Sequence, residues 1–108
     1  MKEKLFRYLV KHAVNPTPSC GIPLSARFIA EQLKTTYKEC IKHLHTLKDN
    51  NLVEVVRGGY YDDYYGKNFL YCGWYITKQA EETKIYREEL VKMSEIIDKE
   101  MQKYKEQL

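Results

Sequence analysis

The stretch LKTTYKECIKHLHTLKDNNLV, residues 33–53, carries the pattern that decides the fold. Thr36 and Glu39 have the Ser/Thr-x-x-Glu spacing of a capping box, which predicts a helix start at Thr36 with the Glu39 carboxylate folded back toward it. The apolar residues that follow recur at helical spacing, at Cys40, Ile41, Leu44 and Leu47. Asn51 stands just past them, where helices commonly end in a left-handed residue, so this helix is predicted to end near residue 50.

Two shorter helices are predicted before this one. Residues 2–13 alternate charged and apolar side chains at helical spacing, which predicts an amphipathic first helix. Residues 15–23, NPTPSCGIP, contain three prolines and a glycine and are predicted to be a loop. Ser25 then caps a second helix near residues 26–33. The inner face of that helix is formed by Ala26, Ile29, Ala30 and Leu33. Only KTT separates it from the third helix, which makes the pair a helix-turn-helix candidate.

The second half of the chain predicts a β-hairpin and a long helix. Residues 52–57, LVEVVR, are β-branched and indicate a strand, and residues 69–77, FLYCGWYIT, alternate like a second one. The stretch 58–69, GGYYDDYYGKNF, joins them. Thr77 is predicted to cap a fourth helix that continues to the end of the chain without proline or glycine. The fold class is therefore mainly α with a β-hairpin (α+β), in the order α-α-α-β-β-α.

This pattern resembles the small PadR-type and MarR-type winged-helix regulators. Residues 33–53 match an apolar residue before the turn, a Thr cap, the apolar helix positions and a closing N-L-V where those families usually have G-L-V. WYITKQAEE, residues 74–82, is similar to the end of their wing, Y-x-L-T-x-x-G, with Ala80 or Glu81 near the glycine. The resemblance covers about residues 24–85. It implies a winged helix-turn-helix domain over residues 1–77 that binds double-stranded DNA as a small transcriptional regulator.

The distribution of charge is consistent with a polyanionic partner. The net charge is +3, but residues 1–57 contain ten Lys/Arg against five Asp/Glu, whereas residues 78–108 contain seven against eight. Basic charge confined to one part of a chain is the expected footprint of nucleic acid. The chain has no run of apolar residues long enough to span a membrane and does not begin with a signal-peptide pattern, so a cytoplasmic protein without a membrane partner is expected.

No enzyme, metal or cofactor is predicted. The sequence offers no nucleophile with an adjacent base, no paired carboxylates in a cleft-forming context and no phosphate-binding loop. Cys40 and His43 have C-x-x-H spacing, but zinc needs three or four ligands and Cys20 is the only other loop candidate. Three cysteines without close pairing also argue against a disulfide framework.

The third helix is predicted to lie in the major groove, because its inner face is apolar and its outer face offers hydrogen-bond donors. Lys38 and Lys42, one turn apart, would meet phosphates or guanine edges. The other predicted DNA contacts on or beside this helix are Thr35, Thr36, Tyr37, His45 and Thr46. Arg27 and Lys34 would hold the flanking backbone, and Arg57 and Lys67 would support it from the wing.

The tyrosine-rich wing supports more than one interpretation. Tyr60, Tyr61, Tyr64 and Tyr65 could stack across the hairpin, contact phosphates or form a protein-binding surface. Asp62 and Asp63 at the turn would disfavour a tip pressed against phosphate. The alternative function is therefore a protein–protein interaction module that uses the wing, and a replication or plasmid-maintenance role on the same fold also stays open.

Residues 78–108 are predicted to form a dimerisation helix. Its apolar stripe is Leu90, Met93, Ile97, Met101, Tyr104 and Leu108. These positions step by three and four residues with consecutive fours, so a long regular coiled coil is not indicated. An antiparallel or crossed homodimer fits the pattern better, and it would place two recognition helices on a two-fold DNA site.

Overall fold

The computed structural model describes residues 1–15 and 22–106, without the side chains of Tyr60 and Tyr71. The elements are α1 (Lys2–Val14), α2 (Ala26–Gln32), α3 (Tyr37–Asp49), β1 (Val53–Asp62), β2 (Lys67–Ile76), a 3-10 helix (Lys78–Glu82) and α4 (Lys84–Glu106). The predicted α+β class and the order of helices and strands are confirmed. Most of the predicted proline-rich loop, including Cys20, lies outside the described residues.

One apolar core joins α1, α2, α3 and the base of the hairpin. The buried residues of the helices include Leu5, Phe6, Leu9, Val10, Ala26, Ile29, Ala30, Leu33, Cys40, Leu44 and Leu47. Val53, Trp74 and Ile76 close the core from the hairpin. Each of these three helices therefore buries most of its apolar face, with Ile41 of α3 half-buried, because burial of that face is the main stabilising contribution available to a helix this short.

The predicted helix caps are present, with one correction. The Ser25 hydroxyl accepts a hydrogen bond from the backbone N–H of Phe28 at 3.1 Å, and the Thr36 hydroxyl accepts one from Glu39 at 3.2 Å. The Glu39 carboxylate does not complete the predicted capping box. It lies 3.6 Å from Nε2 of His43, one turn further along α3. A cationic or hydrogen-bonding partner four residues ahead on the same face competes with the backbone N–H behind it.

The hairpin is longer than predicted. β1 and β2 pair in antiparallel register from Val53 opposite Ile76 to Asp62 opposite Lys67, so the turn is only residues 63–66. Most of the stretch 58–69, predicted as the connection, is therefore strand. Aromatic residues favour strands, and Gly66, at φ 63°, supplies the left-handed residue that the short turn needs.

A third segment adds to the base of the hairpin. The backbone groups of Leu24 and Trp74 exchange hydrogen bonds of 3.0 and 2.7 Å, which ties the start of α2 to β2. Gly73, next to Trp74 on β2, is buried because the chain passes directly over it. A Cβ atom at Gly73 would lie 2.8 Å from the carbonyl carbon of Pro23 and 2.9 Å from the nitrogen of Leu24.

Replacing Gly73 by Ala is expected to lower the free energy of unfolding by about 1–3 kcal/mol, because the atoms in the way belong to the backbone and the rigid ring of Pro23 and cannot move without weakening the Leu24 pairing. Gly59→Ala is the matched control. Its Cβ would meet the exposed, rotatable Leu70 side chain at 3.2 Å and the Phe69 carbonyl oxygen at 3.3 Å, so a smaller loss is expected. Urea denaturation measures both variants, and equal losses would contradict the explanation.

The C-terminal segment is not one continuous helix, which corrects the prediction. Thr77 caps the 3-10 helix by accepting a hydrogen bond from Ala80 N–H at 3.3 Å. Thr83 then begins a new helix: its hydroxyl donates to the Ala80 carbonyl at 2.7 Å and accepts from Tyr86 N–H at 3.2 Å. A second threonine with capping geometry thus interrupts the helix, and α4 has 23 residues, about 35 Å.

A buried ion pair fastens α4 to α1. Glu89 is only 3% exposed, and its carboxylate accepts a 2.7 Å hydrogen bond from the Arg7 guanidinium and lies 3.4 Å from the Lys92 ammonium. Arg7 also reaches Glu88 at 3.1 Å. Burial raises the pKa of Glu89, but the Arg7 hydrogen bond and the charges of Lys11 and Lys92 outweigh it, so the pKa lies below its ordinary value.

This lowered pKa predicts an acid-sensitive fold. A carboxyl group with a lower pKa in the folded than in the unfolded chain stabilises the fold above its unfolded value, and the contribution is lost as pH falls through the folded value. The melting temperature should therefore fall as the pH drops below the ordinary glutamate value of 4.5. In Glu89→Gln, which cannot titrate here, the fall over the same range should be smaller. An equally steep fall in the variant would assign the acid sensitivity to other carboxyl groups.

Two elements extend away from the core. The radius of gyration is 16.3 Å, compared with about 13 Å expected for a compact chain of this length. The described side chains near the hairpin tip and those of α4 beyond Met93 are largely exposed. The fold thus presents three separate surfaces: the outer face of α3, the hairpin tip and the apolar stripe of α4.

Candidate nucleic-acid interface

The outer face of α3 carries an uncovered basic pair. Lys38 and Lys42 are both exposed and stand one turn apart, opposite the buried Cys40, Leu44 and Leu47. Inner and outer faces are thus divided as predicted. The carboxylate of Glu39, which stands between the two lysines in the sequence, lies 3.6 Å from Nε2 of His43, one turn further along α3.

The C-terminal half of this face is attached to the rest of the domain. The ring of His45, exposed to solvent, packs edge-on against Trp74 with centroids 5.6 Å apart. The Thr46 hydroxyl, also exposed, donates a 3.1 Å hydrogen bond to the carbonyl of Lys42. Both residues lie on the predicted surface, but the His45 ring and the Thr46 hydroxyl each already contact another residue of the domain.

The corner between α2 and α3 brings a second group of predicted residues together. The Arg27 guanidinium lies 5.7 Å from the centre of the Tyr37 ring, a cation–π contact that joins α2 to the first turn of α3. Tyr37 is 53% exposed, and Arg27, Lys34 and Thr36 are exposed as well. Thr35 is half-buried at the turn. The contact fixes an aromatic ring and a cation at the start of α3, where backbone N–H groups are free of intrahelical partners.

The hairpin supplies the two remaining predicted cations at different places. Arg57 is exposed and stands opposite Cys72, on the same face of the hairpin as the buried Trp74. It therefore lies on the side that packs toward α3. Lys67 is exposed at the far end, opposite Asp62. The structure groups Arg57 with the α2–α3 surface and separates Lys67 from it.

A groove between the helices and the hairpin was not predicted from the sequence. It is lined by Ser25, Ala26, Arg27, Tyr37, Ile41, Cys72, Gly73 and Trp74. Cys72 also lines the adjoining depression around Arg57 and Leu70. Leu70 is 89% exposed, although its alternation with Trp74 and Ile76 resembles that of a core residue. Leu70 is exposed because the hairpin extends beyond the core at this position. The sequence pattern did not define the length of the hairpin, so it did not predict this exposure.

Asp62, one of the two acidic residues at the hairpin tip, has a structural role in the turn. The Asp62 carboxylate accepts a hydrogen bond from Tyr65 N–H at 3.0 Å, and its carbonyl accepts one from Gly66 N–H at 2.8 Å. Asp62 thus holds the turn, as Asp commonly does. Of the three interpretations left open for the tyrosines, stacking across the hairpin does not apply to Tyr64 and Tyr65, which lie in the turn rather than on facing strands. Their rings are 4.9 Å apart, and Tyr65 is 6.0 Å from Phe69.

The predicted dimer stripe of α4 is largely open. Leu90 is 44% exposed, Ile97 38%, Met101 54% and Tyr104 62%, while Met93 is half-buried. Leu108 lies outside the described residues. Upstream of the stripe, Ala80 is buried and Ile85 and Tyr86 pack against the core, so only the later turns of the C-terminal segment project from the domain.

No protein-family model, curated protein or solved structure matches this chain. Within residues 1–15 and 22–106, no group of three or more His, Cys, Asp or Glu side chains is placed to hold a metal ion. Among the same residues, no helix combines the length and the apolar character needed to cross a lipid bilayer.

Proposed function

We propose that this chain is a winged helix-turn-helix protein that binds double-stranded DNA with α3 in the major groove and acts as a small transcriptional regulator. The observation that carries the proposal is the division of α3 into an apolar face on which Cys40, Leu44 and Leu47 are buried and an exposed face with Lys38 and Lys42. A helix held from one side only, with cations on the other, is suited to enter a groove about 12 Å wide.

The surrounding cations support this assignment. Arg27 and Lys34 flank the start of α3, and Arg57 stands on the hairpin face that packs toward it. These residues would contact the phosphates on either side of the groove, which position a protein on DNA without reading sequence. Tyr37 and the hydroxyls of Thr35 and Thr36 would add hydrogen bonds at the helix start.

Salt-dependent binding to a mixed-sequence duplex tests the proposal. Neutralising phosphates releases counterions, so the logarithm of the binding constant should fall linearly with the logarithm of salt concentration. With about five cations in contact, the slope should be roughly −4 to −5. Weak binding with a slope near zero would reject DNA as the partner.

We further propose that two chains pair through the stripe formed by Leu90, Met93, Ile97, Met101 and Tyr104. From Leu90 to Tyr104 its four steps of three and four residues average 3.5, close to the helical repeat of about 3.6, so two α4 helices could pack along this short length. The occupant is a second copy because a symmetric pair would set two α3 helices on one DNA duplex, as a two-fold site requires.

Replacing both Ile97 and Met101 by Glu is expected to convert a dimer into a monomer with little loss of stability in each domain. Both side chains are partly exposed, so their replacement removes no part of the core. Sedimentation equilibrium gives the mass of the wild-type chain and the variant. Lys99→Glu with Lys103→Glu is the control, because both positions are exposed and lie outside the stripe. A monomeric wild-type chain would contradict the pairing.

A protein-interaction module is the alternative, and the hairpin tip favours it. Tyr61, Tyr64 and Tyr65 are 59%, 88% and 64% exposed, and Leu70 lies nearby on β2. Exposed tyrosines are enriched at the centres of protein interfaces, and the tip holds two acids against one lysine. The salt titration separates the two functions: only the DNA-binding protein should show a steep negative slope.

A further inference from the structure

The helix α2 ends in a Schellman motif with an unusual residue at its centre. The Thr35 N–H donates to the Ala30 carbonyl at 3.0 Å, and the Lys34 N–H donates to the Glu31 carbonyl at 3.2 Å. This pair of hydrogen bonds defines the motif, and it forces the residue after the helix into the left-handed region. That residue is Lys34, at φ 55°.

The helix α3 ends in the same motif with a residue that suits it. The Leu52 N–H donates to the Leu47 carbonyl at 3.0 Å, and the Asn51 N–H donates to the Lys48 carbonyl at 2.9 Å. Asn51 occupies the left-handed position, at φ 60°. Asn adopts this conformation readily because its short polar side chain can bond locally. The chain therefore contains its own comparison: one position is occupied by Asn and the equivalent one by Lys.

Lys34 has no local reason to occupy this position. A lysine in the left-handed conformation is disfavoured by the contact between its Cβ and the backbone, and Gly or Asn would relieve it. Among the described residues, no ion pair or side-chain hydrogen bond of Lys34 offsets that cost. Its side chain is exposed, on the same turn that leads into the basic face of α3. Strained residues that fold stability does not require are often retained for function.

We propose that the left-handed conformation of Lys34 is retained for binding: the turn loses stability by having a lysine there, and in exchange the ammonium reaches the DNA backbone beside the groove that α3 enters. The inference rests on the proposed function and adds to it a trade between stability and binding at one residue. A lysine lowers stability at this position, but it places a cation in the turn between α2 and α3, which no residue within either helix can occupy.

Exchanging the two residues tests this trade. Lys34→Asn should raise the melting temperature by about 2–4 °C, since the strain is relieved. It should also weaken binding to a mixed-sequence duplex about fivefold near 0.1 M salt and make the salt slope shallower by about one unit. Asn51→Lys should lower the melting temperature while leaving the slope no shallower. Lys34→Arg keeps the charge and should keep the affinity.

The double exchange, Lys34→Asn with Asn51→Lys, is the decisive variant, because it preserves composition and net charge. Its melting temperature should lie within about 2 °C of the wild-type value, yet its binding should be as weak as that of Lys34→Asn. If Lys34→Asn binds with wild-type affinity and slope, the inference is overturned while the proposed function stands. If the wild-type chain itself shows no salt-dependent binding, both are overturned.

Discussion

Replacing Arg7 by Met is expected to lower the melting temperature by roughly 10–20 °C, the largest stability change that a single exposed or half-buried cation should produce in this fold. The reason is the position of Glu89, whose carboxylate is 3% exposed and receives a 2.7 Å hydrogen bond from Arg7. Without the guanidinium, the carboxylate would stay buried, and among the described residues the cations left to stabilise it would be the largely solvated Lys92, 3.4 Å away, and the charge of Lys11. Removing one member of a buried pair costs far more than the pair contributes.

A double replacement distinguishes the lost pair from lost packing. In Arg7→Met with Glu89→Leu, both charges are replaced by apolar groups, so most of the stability should return. Arg87→Met is the matched control. Arg87 lies on α4 and is exposed, and its guanidinium donates a 2.9 Å hydrogen bond to the carbonyl of Glu82 rather than to a buried carboxylate. Thermal unfolding followed by circular dichroism measures all three, and a loss in Arg7→Met no larger than in Arg87→Met would contradict the argument.

The sequence predicted the elements whose signals are local. The stripe of α3, the Ser25 and Thr36 caps and the left-handed Asn51 all depend on residues within one or two helical turns. Such signals act through backbone hydrogen bonds and periodicity, which a sequence contains directly. The inner face predicted for α2 is buried for the same reason.

The incorrect predictions concern the start of α4, the partner of Glu39 and the length of the hairpin. In each case two alternative interactions are close in energy. Thr77 and Thr83 both have the side chain of a cap, and the sequence alone did not distinguish where the long helix begins. Glu39 can reach backward to the helix start or forward to His43, and each contact is worth only a few tenths of a kcal/mol. The hairpin length depended on whether glycines and tyrosines would extend the strands, which packing decides more than propensity does.

The ion pair of Arg7 and Glu89 was not predictable at all. The two residues are 82 positions apart, and on each helix the charged residue looks like part of a solvated face. Only the approach of α4 to α1 reveals that Glu89 is buried. The same limit applies to the Lys34 strain, because the positive φ follows from hydrogen bonds between backbone atoms rather than from the identity of the residue.

Reversing the charge of both exposed lysines of α3, in Lys38→Glu with Lys42→Glu, is expected to weaken binding to duplex DNA by about 100-fold or more near 0.1 M salt. Each alanine replacement alone should make the salt slope shallower by about one unit, and the double reversal by at least two. Both side chains project from the outer face of a helix whose inner face is buried, so the change adds repulsion of phosphate without disturbing the core.

The matched control for this reversal is Lys99→Glu with Lys103→Glu on α4. It lowers the net charge by the same amount at exposed positions far along the chain from α3. If general attraction between a basic protein and DNA were the cause, both double variants would lose affinity equally. If α3 enters the groove, only the α3 variant loses it, with melting temperatures of both variants within about 2 °C of wild type. If the α3 variant kept its affinity, DNA would have to bind another surface. Two carboxylates on a helix lying in the groove would repel the phosphates and weaken binding.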